Sequence, residues 1–240
     1  MIIDAHVHMR GKVFQGDNRG DKPGLIDVME RHGIEKSIVM GLTAEDNLEI
    51  LAEIARFPKQ LIPFILLLPG QNNLDSMLEK SNEIVAVRGI GEIYAQPGPA
   101  QSHLDYMRPV LEIARHNNLP VLFHTGDFSY TAPMMLMEIF QAYPDVNFII
   151  GHMGSHHFWL DTIELLKMFP NTYTDTSGMQ SPLILRRAIQ ECGPEKILYG
   201  SDFPYWDPGV EIPRIFAAKL DPNTERMILG ENAVRLFSLW

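Results

Sequence analysis

Short apolar runs that end on a histidine, aspartate or glutamate recur along this chain, and their spacing restricts the fold more than any other feature. Met1-Ile2-Ile3 leads into Asp4-Ala5-His6-Val7-His8, and the run Ile84 to Gly91 ends at Glu92. Pro120-Val121-Leu122-Phe123 ends at His124, Val146 to Ile150 runs into Gly151-His152, and Lys196 to Gly200 runs into Ser201-Asp202. Runs of this length, bounded by turn residues, read as buried strands. Side chains two apart on a strand share a face, so His6 and His8 can converge on one ion.

Strands and helices are expected to alternate throughout. The pattern places strands at 2–6, 36–40, 61–67, 85–91, 121–124, 147–150, 172–175 and 197–200. Helices are expected over 24–32, 44–56, 74–81, 104–117, 134–143, 158–169 and 182–192. About eight such units predict an α/β fold, a single (β/α)8 TIM barrel, with a metal site at the C-terminal ends of the strands. The chain has 240 residues and is 45% hydrophobic, close to the ~250 residues typical of one such barrel, so one domain over 1–240 is expected. His6, His8, Glu92, His124, His152 and Asp202 would then be neighbours despite their separation in sequence.

Composition narrows the partners. A formal charge of -10 and the lack of any basic run argue against a nucleic-acid footprint, which needs clustered Lys and Arg. The single cysteine, Cys192, cannot form an internal disulfide and reads as a packing residue at a helix end. The first residues do not form a signal segment. The longest apolar run, Leu61 to Leu68, is interrupted by Pro63 and falls far short of the ~20 residues of a membrane helix. A cytoplasmic protein with a small-molecule substrate and no membrane partner is expected, and outer helices of barrels often pair into homodimers.

His6-x-His8, His124, Gly151-His152-Met153-Gly154 and Gly200-Ser201-Asp202-Phe203-Pro204 together resemble the amidohydrolase superfamily. The nearest branch is the amidohydrolase-related group that includes metal-dependent decarboxylases, and Ile228 to Phe237 is similar to its closing helix. The resemblance implies that His6, His8, His124 and Asp202 bind a divalent metal, with zinc the leading candidate and manganese the alternative. It implies that His152 orients or protonates the reacting group, and that Asp202 moves the proton of the attacking water. The chain departs from many two-metal members at the fourth strand, where Gly91-Glu92-Ile93 stands in place of a lysine. Gly-Glu-Ile is also similar to the metal-dependent deoxyribonuclease branch. Glu92 is thus either a metal ligand or a structural carboxylate pairing with Arg88 or a helix; one ion is favoured, with two left open.

Other polar residues divide between structural and functional readings. His156 and His157 read as loop or helix-start residues, Asp4 as a brace for a neighbouring loop, and Asp175 equally as support for a ligand or as a helix-capping or turn residue. Arg10, Lys12 and Arg19 follow the histidine pair as solvated loop charge, with carboxylate binding as the alternative. Tyr94, Gln96, Tyr205 and Trp206 can wall a small organic substrate. The leading expectation is a metal-dependent hydrolase of an amide, ester or lactone bond. The alternatives are a decarboxylase or hydratase of an unsaturated or aromatic acid, and a metal-containing binding protein without catalysis. Nuclease action is a minor fourth reading, opposed by the acidic balance.

Overall fold

The computed structural model describes residues 1–9, 22–94 and 102–239; Arg10, Lys12, Arg19 and Gln96 lie outside the described residues. Eight strands form one sheet in chain order: β1 (Ile3–His8), β2 (Lys36–Met40), β3 (Leu61–Ile65), β4 (Gly89–Ile93), β5 (Val121–Phe123), β6 (Phe148–Ile150), β7 (Thr172–Asp175) and β8 (Ile197–Leu198). All neighbouring pairs are parallel. The chain beyond β8 returns to β1. Ala5 N–H donates to the Tyr199 carbonyl at 2.8 Å, Asp202 N–H to the His6 carbonyl at 2.7 Å, and His8 N–H to the Phe203 carbonyl at 2.8 Å. These bonds join the last strand to the first, and the sheet is the TIM barrel that the alternation predicts.

Among the described helices are α1 (Lys22–His32), α2 (Asn47–Ile54), α3 (Leu74–Ile84), α4 (Leu104–His116), α5 (Met137–Ala142) and α6 (Trp159–Met168). They continue with α7 (Pro182–Cys192), α8 (Pro208–Ala217), α9 (Pro222–Arg226) and α10 (Asn232–Phe237). No helix among the described residues is long and apolar enough to cross a membrane.

Two differences from the sequence reading have local causes. The fourth strand starts at Gly89 rather than Val85, because Val85 N–H still bonds the Ser81 carbonyl at 3.0 Å and Val87 N–H is taken by the Asn82 side chain at 2.9 Å. Helices α8 and α9 were not expected, and Pro213 inside α8 masks the first of them. Their start signals are nonetheless plain: Asp207 and Asp221 cap N–H groups at Gly209 and Asn223, each with proline at the first helical position.

The apolar side chains form two shells. The inner one fills the lower barrel with Ile3, Ala5, Ile38, Met40, Ile62, Phe64, Leu122, Ile149 and Leu198, closed below by Ala233 and Phe237 of α10. The outer one packs the other strand faces, including Val39, Ile65, Val121, Phe123, Phe148, Ile150 and Ile197, against the helices. Alternation along each strand creates this division, but β1 and β4 break it. Asp4 and Val7 pair with Ser37 and Val39, so that two residues of β1, Ala5 and His6, stand against one of β2, Ile38. Ile90 and Ile93 pair with Val121 and Phe123 in the same way. An extra residue of this kind turns the strand over. Accordingly Ile3 and Ala5 face inward while Val7 packs outward, and Ile90 and Ile93 both pack outward.

Candidate metal centre

The two bulges aim His6, His8 and Glu92 into the upper barrel, above the apolar inner shell. At β4 the device depends on Gly91, whose φ is +143°; a Cβ there would lie 2.6 Å from the Leu122 carbonyl oxygen of β5. β5 and β7 need no such device, since regular alternation carries Leu122 to His124 and Tyr173 to Asp175. β6 and β8 use a turn just past the strand. His152 and Asp202 have φ of 61° and 60°, a left-handed conformation that costs an ordinary residue roughly 1–2 kcal/mol. His152 N–H is held at 3.2 Å by the Asp175 carboxylate, and Asp202 N–H by the His6 carbonyl. The preceding Gly151 leaves room: a Cβ would meet the Phe123 carbonyl oxygen at 2.8 Å and Glu92 Oε1 at 3.4 Å.

Glu92 is the hub of the resulting cluster. Its Oε1 lies 3.0 Å from both His124 Nδ1 and His152 Nε2 and 3.5 Å from His6 Nε2, while Oε2 lies 3.3 Å from His8 Nε2. Burial would raise its pKa, but the charges of His6 and His124 and the hydrogen bonds from His124 and His152 hold it well below the usual carboxylate range. The histidines shift the other way. Burial lowers His6 and His124, but the carboxylates together outweigh it, Glu92 with Asp175 at His6 and Glu92 with Asp127 at His124, and the His124 pKa is pushed up to about 9. His8 is raised by Asp202 and Glu92 against its burial.

The rings of His6, His152 and His124 are each held by what the other nitrogen touches. His6 Nδ1 lies 3.0 Å from Asp175 Oδ2, leaving Nε2 facing His8 Nε2 at 3.2 Å. His152 Nδ1 lies 2.8 Å from Ser177 Oγ, leaving Nε2 for Glu92 and His124. His124 is reversed, with Nε2 on Asp127 at 2.8 Å and Nδ1 inward. Asp175 is fully buried; it holds His6 Nδ1 and also accepts from the Ser177 N–H and hydroxyl, so it both supports the cluster and makes the local turn. Asp4 braces the β8 loop by accepting from Ser201 N–H at 2.8 Å.

Three groups in the cluster have metal-ligand spacing: His6, His8 and Asp202; Glu92, His124 and His152; and His6, His152 and Asp175, of which the first two are sets that share no residue. Asp202 Oδ1 is buried with no hydrogen-bond partner among the described residues, 3.3 Å from His8 Nε2 and 3.7 Å from His6 Nε2. An unsatisfied carboxylate oxygen beside two imidazole nitrogens is a donor set that suits a borderline divalent cation.

A cavity of about 540 Å³ opens over both sets, walled by Tyr94, Tyr205 and Trp206 and by Leu42, Leu66 and Leu68. His156 reaches its rim from an exposed turn that it shares with His157. Arg88 stands exposed before the start of β4, and Glu92 turns to the histidines. Two groups escaped the sequence reading. Asp127 follows His124 by three residues in a glycine-containing loop, a spacing that signals a shared turn; Ser177 follows Asp175 by two and carries no comparable signal.

The family model for amidohydrolases matches residues 3–239. This chain belongs to the amidohydrolase family. Solved structures share the fold of this amidohydrolase over nearly its whole length. The 5-carboxyvanillate decarboxylase of Sphingomonas paucimobilis is 16% identical with a TM-score of 0.76, covering 99% of this chain and 98% of that one. A candidate 2-pyrone-4,6-dicarboxylic acid hydrolase of Pseudomonas putida is 18% identical, TM-score 0.78, covering 99% and 97%. A dihydroxybenzoic acid decarboxylase of Polaromonas, with bound manganese and 2-nitroresorcinol, is 20% identical, TM-score 0.74, covering 99% and 97%.

Proposed function

We propose that this amidohydrolase is a metal-dependent hydrolase that cleaves an amide, ester or lactone bond of a small organic molecule. The observation that carries the reading is Glu92, one carboxylate joining the two ligand sets, together with the buried Asp202 Oδ1 beside them, which has no hydrogen-bond partner among the described residues. His6, His8 and Asp202 would hold one divalent ion, and Glu92, His124 and His152 a second. Bound there, the ions supply Lewis acidity, which brings water toward ionisation at neutral pH and polarises a carbonyl.

The residues divide the remaining work. Asp202 would accept the proton of the attacking water, and return it to the leaving group, through the carboxylate oxygen that is not used toward the ion. His152, fixed by Ser177 and by the Asp175 bond to its backbone, keeps Nε2 directed at the reacting side of the cluster. Tyr94, Tyr205 and Trp206 exclude water from one face of the substrate and offer flat surfaces to an unsaturated ring.

Decarboxylation of a small aromatic or unsaturated acid is the second reading. It is favoured by that aromatic wall and by the named reactions of the matched decarboxylases. The same residues would serve it, with the proton delivered to carbon. Turnover of a panel of lactones, esters, amides and aromatic acids in ¹⁸O-labelled water separates the two. Label in the organic product supports hydrolysis; release of carbon dioxide with an unlabelled organic product supports the lyase. No turnover of any compound, with metal retained, favours a binding protein.

A further inference from the structure

Resting on the reading of this cluster as a metal centre, we infer that Asp127 is a positioning residue that sets which nitrogen of His124 faces the metal. An imidazole can offer either nitrogen, and the hydrogen bond made by the other one decides. For His6 and His152 the anchored atom is Nδ1, held by Asp175 and Ser177 inside the protein, and Nε2 points inward. His124 is inverted: Asp127 Oδ2 takes Nε2–H at 2.8 Å, and Nδ1 stands 3.0 Å from both Glu92 Oε1 and His152 Nε2. A ring turned the other way would present its longer reach, through Nε2, to a space sized for Nδ1.

The placement of Asp127 makes this an assigned contact rather than a chance surface pair. The loop that carries it is fixed on both sides: Thr125 Oγ1 donates to the Gly151 carbonyl at 2.7 Å, and Gly126 N–H to the Thr131 carbonyl at 3.0 Å. At Gly126 a Cβ would meet Ser155 Cβ at 2.4 Å, so the loop lies directly on the turn after His152. Asp127 nevertheless keeps 46% of its side chain exposed and lines the cavity, whereas Asp175 is fully buried. It is the support of this centre that substitution can remove without opening the core.

The test compares wild type, Asp127→Ala and Asp127→Asn. Zinc affinity is read by competition with a chromophoric chelator, and the ring nitrogens by ¹⁵N-histidine long-range spectra of the zinc-loaded proteins. The expected result is a loss of affinity of about 10- to 100-fold in Asp127→Ala, with rescue to within a few-fold in Asp127→Asn, whose amide oxygen still accepts Nε2–H. Wild type should show His124 protonated on Nε2 and bound to zinc through Nδ1, with unchanged thermal stability in both variants. Wild-type affinity and an unchanged His124 signature in Asp127→Ala overturn the inference and leave the metal reading standing. Failure of wild type to take up zinc overturns the metal reading and this inference with it.

Discussion

Strands β4 and β5 lie side by side and deliver carboxylate and imidazole to the same point, yet they do so by opposite means. β5 is regular: Val121 and Phe123 pack outward, Leu122 packs inward, and His124 follows on the inward side. In β4 strict alternation would send Glu92 outward with Ile90, and the bulge before Ile93 turns it in. β1 repeats the β4 device, with its extra residue between Asp4 and Val7. Pattern alone therefore places a site residue correctly on a regular strand and on the wrong face of a bulged one.

The comparison is broken most severely by Gly91→Ala. The new Cβ, at 2.6 Å from a β5 carbonyl oxygen and with φ at +143°, cannot coexist with the bulge. Stability should fall by roughly 3 kcal/mol or more, adding overpacking to backbone strain, and bound metal should be lost; thermal melts and elemental analysis read both. An interior substitution on a regular strand that supplies no site residue, Ile38→Ala in β2, should cost a similar 2–5 kcal/mol but leave metal content at the wild-type value. Metal loss in both alike would remove the distinction between the two kinds of strand.

Next in size is Glu92→Gln, which keeps the shape of the bulged product but removes its charge. Turnover on whichever substrate the panel identifies should drop by about 10² to 10⁴. Asp175→Asn acts on a regular strand and one step from the centre, weakening the hold on His6, so a loss of about 10- to 100-fold in metal affinity is expected. The smallest effect belongs to a site remote from both devices. Asp221→Ala removes the cap of α9 and should cost about 1 kcal/mol in a denaturant titration, with metal and turnover unchanged.

Much of this was legible in the sequence. Apolar runs separated by helical spacing predicted the barrel, and β2, β7 and α7 have the expected limits, because their boundaries coincide with clear turn and cap residues. His124 and Asp202 were readable as residues just beyond strand ends. What escaped is what depends on register and on contacts across the barrel: the bulges of β1 and β4, the late start of β4, and the roles of Asp127 and Ser177. A bulge adds one residue without altering composition, and a hydrogen bond from a loop carboxylate to a ring nitrogen leaves no periodic trace. Glu92 illustrates both points. Its residue type and position were noticed, but whether it paired with Arg88 or met the histidines depended on which face it occupied.

The most direct test of a centre joined by Glu92 is metal per chain, measured by elemental analysis on chelator-treated protein reconstituted with zinc or manganese, for wild type beside Glu92→Gln. Two ions per chain in wild type, falling to one or none in Glu92→Gln, is the predicted result. No bound metal in wild type after reconstitution, or equal content in both proteins, contradicts it.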